Sequence, residues 1–332
     1  MATPKEASMR RSSPSFAPLA LALLAVVAAR AVPAAEIASG VELVPGRFVP
    51  GRQPDGNTVI LRGRGGLVVV DTGRHAEHAK KVIEAARATG LPVKAVVNTH
   101  WHLDHVGGNP AVKAAYPSVR VYASSAIDGA LKGFLATYRA QLLEMIARAP
   151  EPEKTKEWRD EVARIDSGRA LGPDEVVTSS GQREIAGRRL ELHLETRAVT
   201  EGDVWIFDPA TRVLVAGDLV TLPVPFLDTA CPARWEAGLE RLSTTDFRLL
   251  VPGHGAPMTR PAFETYRTAF GRLLSCASSP LEKEACVEGW MKDAGSLLAG
   301  EDAGFVRSLA DYYVGSVLRG DEKRLARLCG GS

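Results

Sequence analysis

Apolar positions in the first half of the chain fall in short β-type runs at residues 41–44, 58–61, 67–70, 93–97 and 119–122. Between the third and fourth runs the period changes. Ala79, Val82, Ile83 and Ala86 recur at helical spacing, so residues 75–88 read as a helix stopped by Gly90 and Pro92. Residues 126–149 read as one long helix broken by Pro150-Glu151-Pro152, and 153–165 as a charged helix with a narrow apolar stripe, lying over the surface. A second β series follows at 175–178, 190–194, 204–207, 213–216 and 247–251, interrupted by a helix at 234–242. From residue 261 to 328 the pattern is almost wholly helical. Two β-rich halves, each with helices, predict an α/β protein whose sheets pack together with helices outside. No internal repeat of 20–50 residues changes that reading.

Composition adds few constraints. The 332 residues are 45% hydrophobic and 24% charged, the balance of a globular protein that buries a full core. A net charge of +2, with no Lys/Arg block, argues against a nucleic-acid partner; the small-molecule partner expected instead rests on the motifs that follow. Oligomeric state is left open. The N-terminus reads as a signal peptide over residues 1–34. Arg10 and Arg11 form its basic end, 16–29 its apolar stretch, and cleavage is expected after Ala34 or Ala35. That apolar stretch is shorter than the roughly 20 residues of a membrane span, so a periplasmic or secreted protein without a stable anchor is expected. Export makes disulfides permissible. The four cysteines allow three connectivities; Cys276–Cys286 with Cys231–Cys329 is the expected one, free buried thiols the alternative.

The chemistry concentrates in Thr99-His100-Trp101-His102-Leu103-Asp104-His105. Three imidazoles and a carboxylate within six positions make a dense set of metal donors suited to zinc or iron. The segment follows the apolar run 93–97 and precedes the breakers Gly107-Gly108-Asn109. Three further apolar runs end on donor side chains: 68–70 at Asp71, 213–217 at Asp218 and 249–253 at His254. Each donor thus lies on a loop just beyond a strand, where a rigid scaffold can position it. No nucleophile elbow, phosphate loop or dinucleotide fingerprint appears.

These four segments, in this order, resemble the metallo-β-lactamase superfamily over about residues 41–257. Its His-x-His-x-Asp-His motif stands here as His100 to His105. The resemblance implies a four-layer αβ/βα sandwich (36–258) with a dinuclear metal cleft at one sheet edge, and leaves 259–332 as a helical C-terminal extension. It implies His100 and His102 on a first metal, Asp104, His105 and His254 on a second, and Asp218 between them. Asp71 would be a carboxylate behind the ligands that orients their loop. The implied cofactor is zinc, one or two ions per chain, with iron or manganese as alternatives.

One position departs from the family. Where it supplies a third first-site histidine, this chain reads Ala198-Val199-Thr200-Glu201-Gly202-Asp203, and Val199 cannot coordinate. Unequal sites are therefore expected. His193, in an alternating strand, reads as a surface histidine rather than a substitute, and His75 and His78 read as exposed helix residues. Trp101 reads as packed beside the metals, Glu191, Glu195 and Glu201 as solvated, and Pro223, Pro225, Phe226 and Leu227 as cleft border or core closure.

The leading expectation is a secreted zinc-dependent hydrolase, with a metal-bound hydroxide held by Asp104 and Asp218 attacking a lactam, lactone, thioester or related ester. Asp218 resembles the glyoxalase II and lactonase branches more than true lactamases, whereas export suits a lactamase. The alternative is a mononuclear or non-catalytic metal-binding member that lost hydrolysis with its histidine; an iron sulfur-dioxygenase is a weaker third reading.

Overall fold

The computed structural model describes residues 34–48, 51–149, 152–320 and 322–330, so the expected signal segment lies outside the described residues apart from Ala34. In chain order, β1 (Ala35–Ala38), β2 (Val41–Val44), β3 (Thr58–Gly63) and β4 (Gly66–Val70) form an antiparallel meander. Helix α1 (Ala76–Ala88) then crosses to β5 (Val93–Val97), which lies parallel to β4. Two short helices, α2 (Leu103–Val106) and α3 (Asn109–Ala115), lead to β6 (Arg120–Ala123). After α4 (Ala126–Lys132), α5 (Phe134–Arg148) and α6 (Pro152–Asp166), β7 (Glu175–Val176) completes a seven-stranded sheet in the order β1 to β7. The second sheet is five-stranded, ordered β12-β11-β10-β9-β8. It comprises β8 (Gly181–Ile185), β9 (Arg188–Glu195), β10 (Asp203–Asp208), β11 (Val213–Thr221) and, beyond α7 (Pro232–Ser243), β12 (Leu249–His254), parallel to β11.

Strand alternation explains the four layers. On β4, Val68 and Val70 face the second sheet, among Leu192, Val204, Ile206 and Val215, while Leu67 and Val69 face Val82, Ala86 and Val112 of the outer helices. On β10, Val204 and Ile206 point inward, and Trp205 and Phe207 point to the opposite helical layer. Strands covered on both faces read as continuous apolar runs, which is why they were visible in sequence. The fold is thus helix, sheet, sheet, helix, with a helical C-terminal region. That region runs through α8 (Arg260–Ala277), α9 (Lys283–Asp293), α10 (Ala303–Tyr312), a π-helical stretch (Tyr313–Leu318) and α11 (Glu322–Leu328). Its Phe263, Tyr266, Trp290 and Val306 share one apolar cluster with Leu214 and Leu250 of the second sheet.

Several expectations change. Residues 126–149 form two helices because Gly133, at φ −111° and ψ −100°, leaves the helical region. The edge strands β1 and β8 escaped the periodicity reading, since their largely exposed faces carry little apolar signal. Helix α6 is not merely superficial: its Glu161 is buried and paired with both Arg74 and Arg164.

Both expected disulfides are present, Cys231–Cys329 and Cys276–Cys286, closing sequence separations of 98 and 10. Loop-closure entropy grows with length, so the long-range bridge contributes more. Replacing Cys231 and Cys329 together by Ser is expected to lower unfolding free energy by about 4–5 kcal/mol, and replacing Cys276 and Cys286 by about 3 kcal/mol. Guanidinium unfolding curves of the two double variants check both the sizes and their order.

Candidate metal centre

The expected donors converge where the two sheets meet. His100 lies in the loop after β5, His102 caps α2, and Asp104 and His105 occupy α2 itself. His254 is the last residue of β12. Asp218 was expected just beyond a strand, but β11 continues past it to Thr221; the pairing with β12 is irregular around Gly217. Gly217 has φ +54°, and a Cβ there would stand 2.6 Å from Cβ of Thr99. At Gly253 a Cβ would meet Asp218 Oδ1 at 1.9 Å. Only glycine lets β12 pass this close to the carboxylate.

Asp218 divides the histidines between its two oxygens. Its Oδ2 lies 3.6 Å from His100 Nε2 and 4.0 Å from His102 Nδ1. Its Oδ1 lies 3.3 Å from His105 Nε2 and 3.7 Å from His254 Nε2. Asp104 Oδ2 stands 2.9 Å from His254 Nε2 and 3.7 Å from His105 Nε2. Two groups of donors close enough to share an ion result: His100, His105 and Asp218, and Asp104, His105 and His254. His102 sits beside the first group.

The hydrogen bonds behind these groups set which nitrogen of each ring carries the proton. Asp71, at φ +60° after β4, accepts from Thr99 N at 2.8 Å, Thr99 Oγ1 at 2.7 Å and His105 Nδ1 at 2.8 Å. Because the Thr99 hydroxyl donates to Asp71, it accepts from His100 Nδ1, 2.9 Å away. Thr229 Oγ1 donates to Val199 O at 2.9 Å and so accepts from His102 Nε2, also at 2.9 Å. The inner nitrogens of His100 and His102 are thereby left as lone pairs. Burial opposes charge on His105, but Asp218, Asp71 and Asp104 lift it well above its ordinary value, so its Nε2 keeps a proton until a cation displaces it. His100 Nε2, His105 Nε2 and Asp218 Oδ1 are buried without a hydrogen-bond partner. Orphaned buried polar atoms of this kind are costly, and a cation among them would complete His100 Nε2 and Asp218 Oδ1 directly and His105 Nε2 once its proton leaves. Two ligands on one tetrahedral zinc, each ~2.0–2.1 Å from the ion, stand about 3.4 Å apart, which matches the observed separations. The donor set therefore fits a divalent metal.

The charges act together. Burial alone would raise the carboxyls of Asp104 and Asp218, but His105 and His254 hold both well below the usual range, with Arg74 adding to the effect on Asp104. Burial and the neighbouring His105 push His100 well down, and burial pulls His102 down to about 4. Burial lifts Asp203 to about 8, although Val199 N, Thr200 N and Thr200 Oγ1 all donate to it.

The remaining sequence candidates separate clearly. Val199 is fully buried, its amide and carbonyl tied to Asp203 and Thr229. His193 stacks on Trp205 at 3.7 Å and joins neither donor group. Trp101 is buried, edge-on to His102, with Nε1 donating to Glu201. Phe226 packs on His102 while Leu227 is core, so the loop after β11 both borders the site and closes the core. Two expectations are corrected. Glu195 is buried, holding Trp205 Nε1 and Arg241, because its strand face turns toward α7. His78 is also buried, bonded through Nε2 to Thr58 Oγ1, and His75 is only partly exposed, pairing with Asp55.

Sequence reasoning missed three positioning groups. Arg74 bridges Asp104 Oδ1, at 3.5 Å, to Glu161. Asn57 donates to the carbonyls of Pro252 and Gly255, at 2.9 Å each, bracketing His254. Thr229 fixes His102. Only Arg74, immediately after Asp71-Thr72-Gly73, carried a usable signal, an arginine beside an expected acidic site.

Comparison with known proteins agrees with this geometry. The sequence model of the metallo-beta-lactamase superfamily matches residues 51–254. A linear primary-alkylsulfatase of Pseudomonas sp. (strain ATCC 19151) is 28% identical over 219 residues, 58% of this chain and 40% of that protein. A hydroxyacylglutathione hydrolase of Gloeobacter violaceus is 47% identical over 55 residues, 17% of this chain and 22% of that protein. The chain thus matches less than half the length of either relative. Among solved structures, a metallo-beta-lactamase from Pontibacter korlensis superposes with a TM-score of 0.51 at 20% identity, covering 72% of this chain and 98% of that one. One from Hirschia baltica gives 0.50 at 18% identity, covering 71% and 97%. At these identities the structural likeness concerns the fold.

Two outcomes are expected from this geometry. Asp71→Asn replaces one acceptor oxygen by an amide that faces donors, so affinity for zinc should fall about 10- to 100-fold in a chelator competition, with the fold retained by circular dichroism. Burial holds His78 down to about 4, whereas an unfolded histidine titrates near 6.5. The unfolded chain therefore takes up the proton first, and the contribution of neutral His78 is lost as pH falls from about 6.5 toward 4. The stability advantage of the natural protein over His78→Gln should shrink across that window by about 2–3 kcal/mol, read from denaturant unfolding at each pH.

Proposed function

The chain belongs to the metallo-beta-lactamase superfamily, and on that premise we propose that it is an exported hydrolase that binds zinc unequally at two adjoining positions. One observation carries the reading: Asp218 turns one oxygen to His100 and His102 and the other to His105 and His254, beside buried nitrogens with no partner. The second position has a full set in Asp104, His105, His254 and Asp218. The first has His100, His102 and Asp218, with Val199 where a further imidazole would complete it. Two disulfides support an oxidising compartment, and no described helix is long and apolar enough to cross a membrane.

A bound divalent metal would supply a Lewis acid and lower the pKa of a bound water to about 7. The chain's own residues arrange the rest. Asp104 and Asp218, both held ionised, accept hydrogen bonds from the attacking water and orient it. Asp71 and Thr99 keep His105 and His100 in one tautomer, and Thr229 does the same for His102. Trp101 and Phe226 close the His102 side against bulk solvent. The substrates considered are lactams, lactones and thioesters, to which the alkylsulfatase and hydroxyacylglutathione hydrolase relatives add sulfate esters and acyl thioesters. A mononuclear, non-hydrolytic binder is the second reading, favoured by Val199 alone.

Metal content per chain tests the unequal sites, and turnover separates the two readings. The natural protein should retain about one tightly held zinc per chain, and Val199→His should raise this toward two by elemental analysis. His254→Ala or Asp104→Ala should abolish tight binding, while His100→Ala lowers occupancy less. Two tightly held ions in the natural protein would overturn the unequal sites. Absence of turnover on lactam, lactone, thioester and alkyl sulfate substrates by the zinc-loaded protein would overturn the hydrolase and leave the binder.

A further inference from the structure

Three aromatic pairs stand on the candidate ligand rings. Phe48 packs against His254 at 5.1 Å between ring centroids and against Phe305 at 6.3 Å. Phe226 packs against His102 at 5.0 Å and against Tyr313 at 6.0 Å. Trp101 lies 4.6 Å from His102 and 5.6 Å from Phe134. Both members of the first pair and the outer member of the third are open to solvent: Phe48 is 39% exposed, Phe305 44% and Phe134 43%. Exposed phenylalanines grouped around a polar centre mark a surface that binds apolar matter.

The C-terminal region contributes to two of the pairs. Asp302 caps α10 by accepting from Phe305 N at 2.6 Å, which fixes Phe305 in the first turn. Val306 and Ala310, one turn apart, bury the inner face of α10. Phe305 and Tyr312, seven apart, form the outer one, with Tyr312 Oη donating to Asp228 Oδ1 at 2.9 Å. Tyr313 then reaches Phe226 on the other side of the site. Phe48 and Phe305 lie outside the segment 51–254 that matches the family, whereas Trp101, Phe134 and Phe226 lie within it.

We propose that Phe48 and Phe305, with Phe226 and Phe134, seat a hydrocarbon arm, alkyl or aryl, of the substrate whose polar end lies at the Asp104–Asp218 centre. The occupant is a small molecule because the rings are continuous with the ligand histidines: an arm seated here delivers its head group to the donors. The inference rests on the metallo-hydrolase reading for the head group and on the exposed rings for the arm.

The test is binding of straight-chain carboxylates, butanoate to decanoate, to the zinc-loaded protein by calorimetry below their micelle concentrations. Affinity should rise about two- to threefold per added methylene, somewhat less than full burial of each CH2 would give. Phe305→Ala and Phe48→Ala should flatten this dependence while leaving butanoate affinity within about twofold. Phe305→Leu, which keeps an apolar side chain, should preserve most of it. Because Phe305 is exposed, each variant should keep the natural melting temperature. Affinity independent of chain length, or a slope unaffected by both alanine variants, would overturn the proposal. A concentration-dependent dimer dissolved by Phe305→Ala would overturn it too, by making the patch a self-interface. Failure of all hydrolysis assays with the chain-length slope intact would sink the hydrolase reading and leave the apolar seat standing.

Discussion

The site depends on the carboxylate of Asp71 more than on any other group. It lies in the left-handed region at φ +60°, a conformation costing a non-glycine residue roughly 1–2 kcal/mol. Three donors compensate, two from Thr99 and one from His105. Through them Asp71 binds the end of β4 to the loop after β5 and sets the proton on His105 directly and on His100 through Thr99. Two parallel strands, one unfavourable dihedral and one carboxylate thus fix a histidine geometry that a flexible loop could not keep.

How much of this was visible in the sequence follows from what each residue does locally. Strands buried on both faces, such as β4 and β10, appear as unbroken apolar runs, and the dense His100–His105 motif needs no tertiary context to be noticed. Edge strands β1 and β8 carry no such run. Gly133 splits a helix through a backbone conformation that periodicity does not register. The six expected donors do converge, but Asp218 does so from within a strand whose irregularity at Gly217 shows only in three dimensions. Glu195 and His78 read as exposed, and the helix carrying Glu161 as superficial, because polar residues are normally outside; each of the three is buried because a specific partner, Arg241, Thr58 or Arg74, lies far away in sequence.

The loop around Val199 is held through its backbone. Asp203 still receives the amides of Val199 and Thr200, and the Val199 carbonyl still receives Thr229. Thr229 is therefore linked at once to Val199 and to His102. The loop around Val199 is held by backbone and carboxylate contacts rather than by its side chain, so the orientation of His102 does not depend on which side chain stands there.

The loop carrying Thr229 is itself immobilised from the C-terminal region. Asp228 accepts from Tyr312 and Arg324, Phe226 packs on Tyr313, and Cys231 is bonded to Cys329. Cys231 N also donates to Ala198 O, next to Val199. A disulfide ordinarily acts on stability by restricting the unfolded chain. Here it also closes a circuit in the folded state, from the last helix through Cys231 to the two segments that orient His102. The helices from residue 260 on lie beyond the family's matched segment, yet their contacts lead to the same histidine that the family motif supplies, so the C-terminal region helps to hold His102.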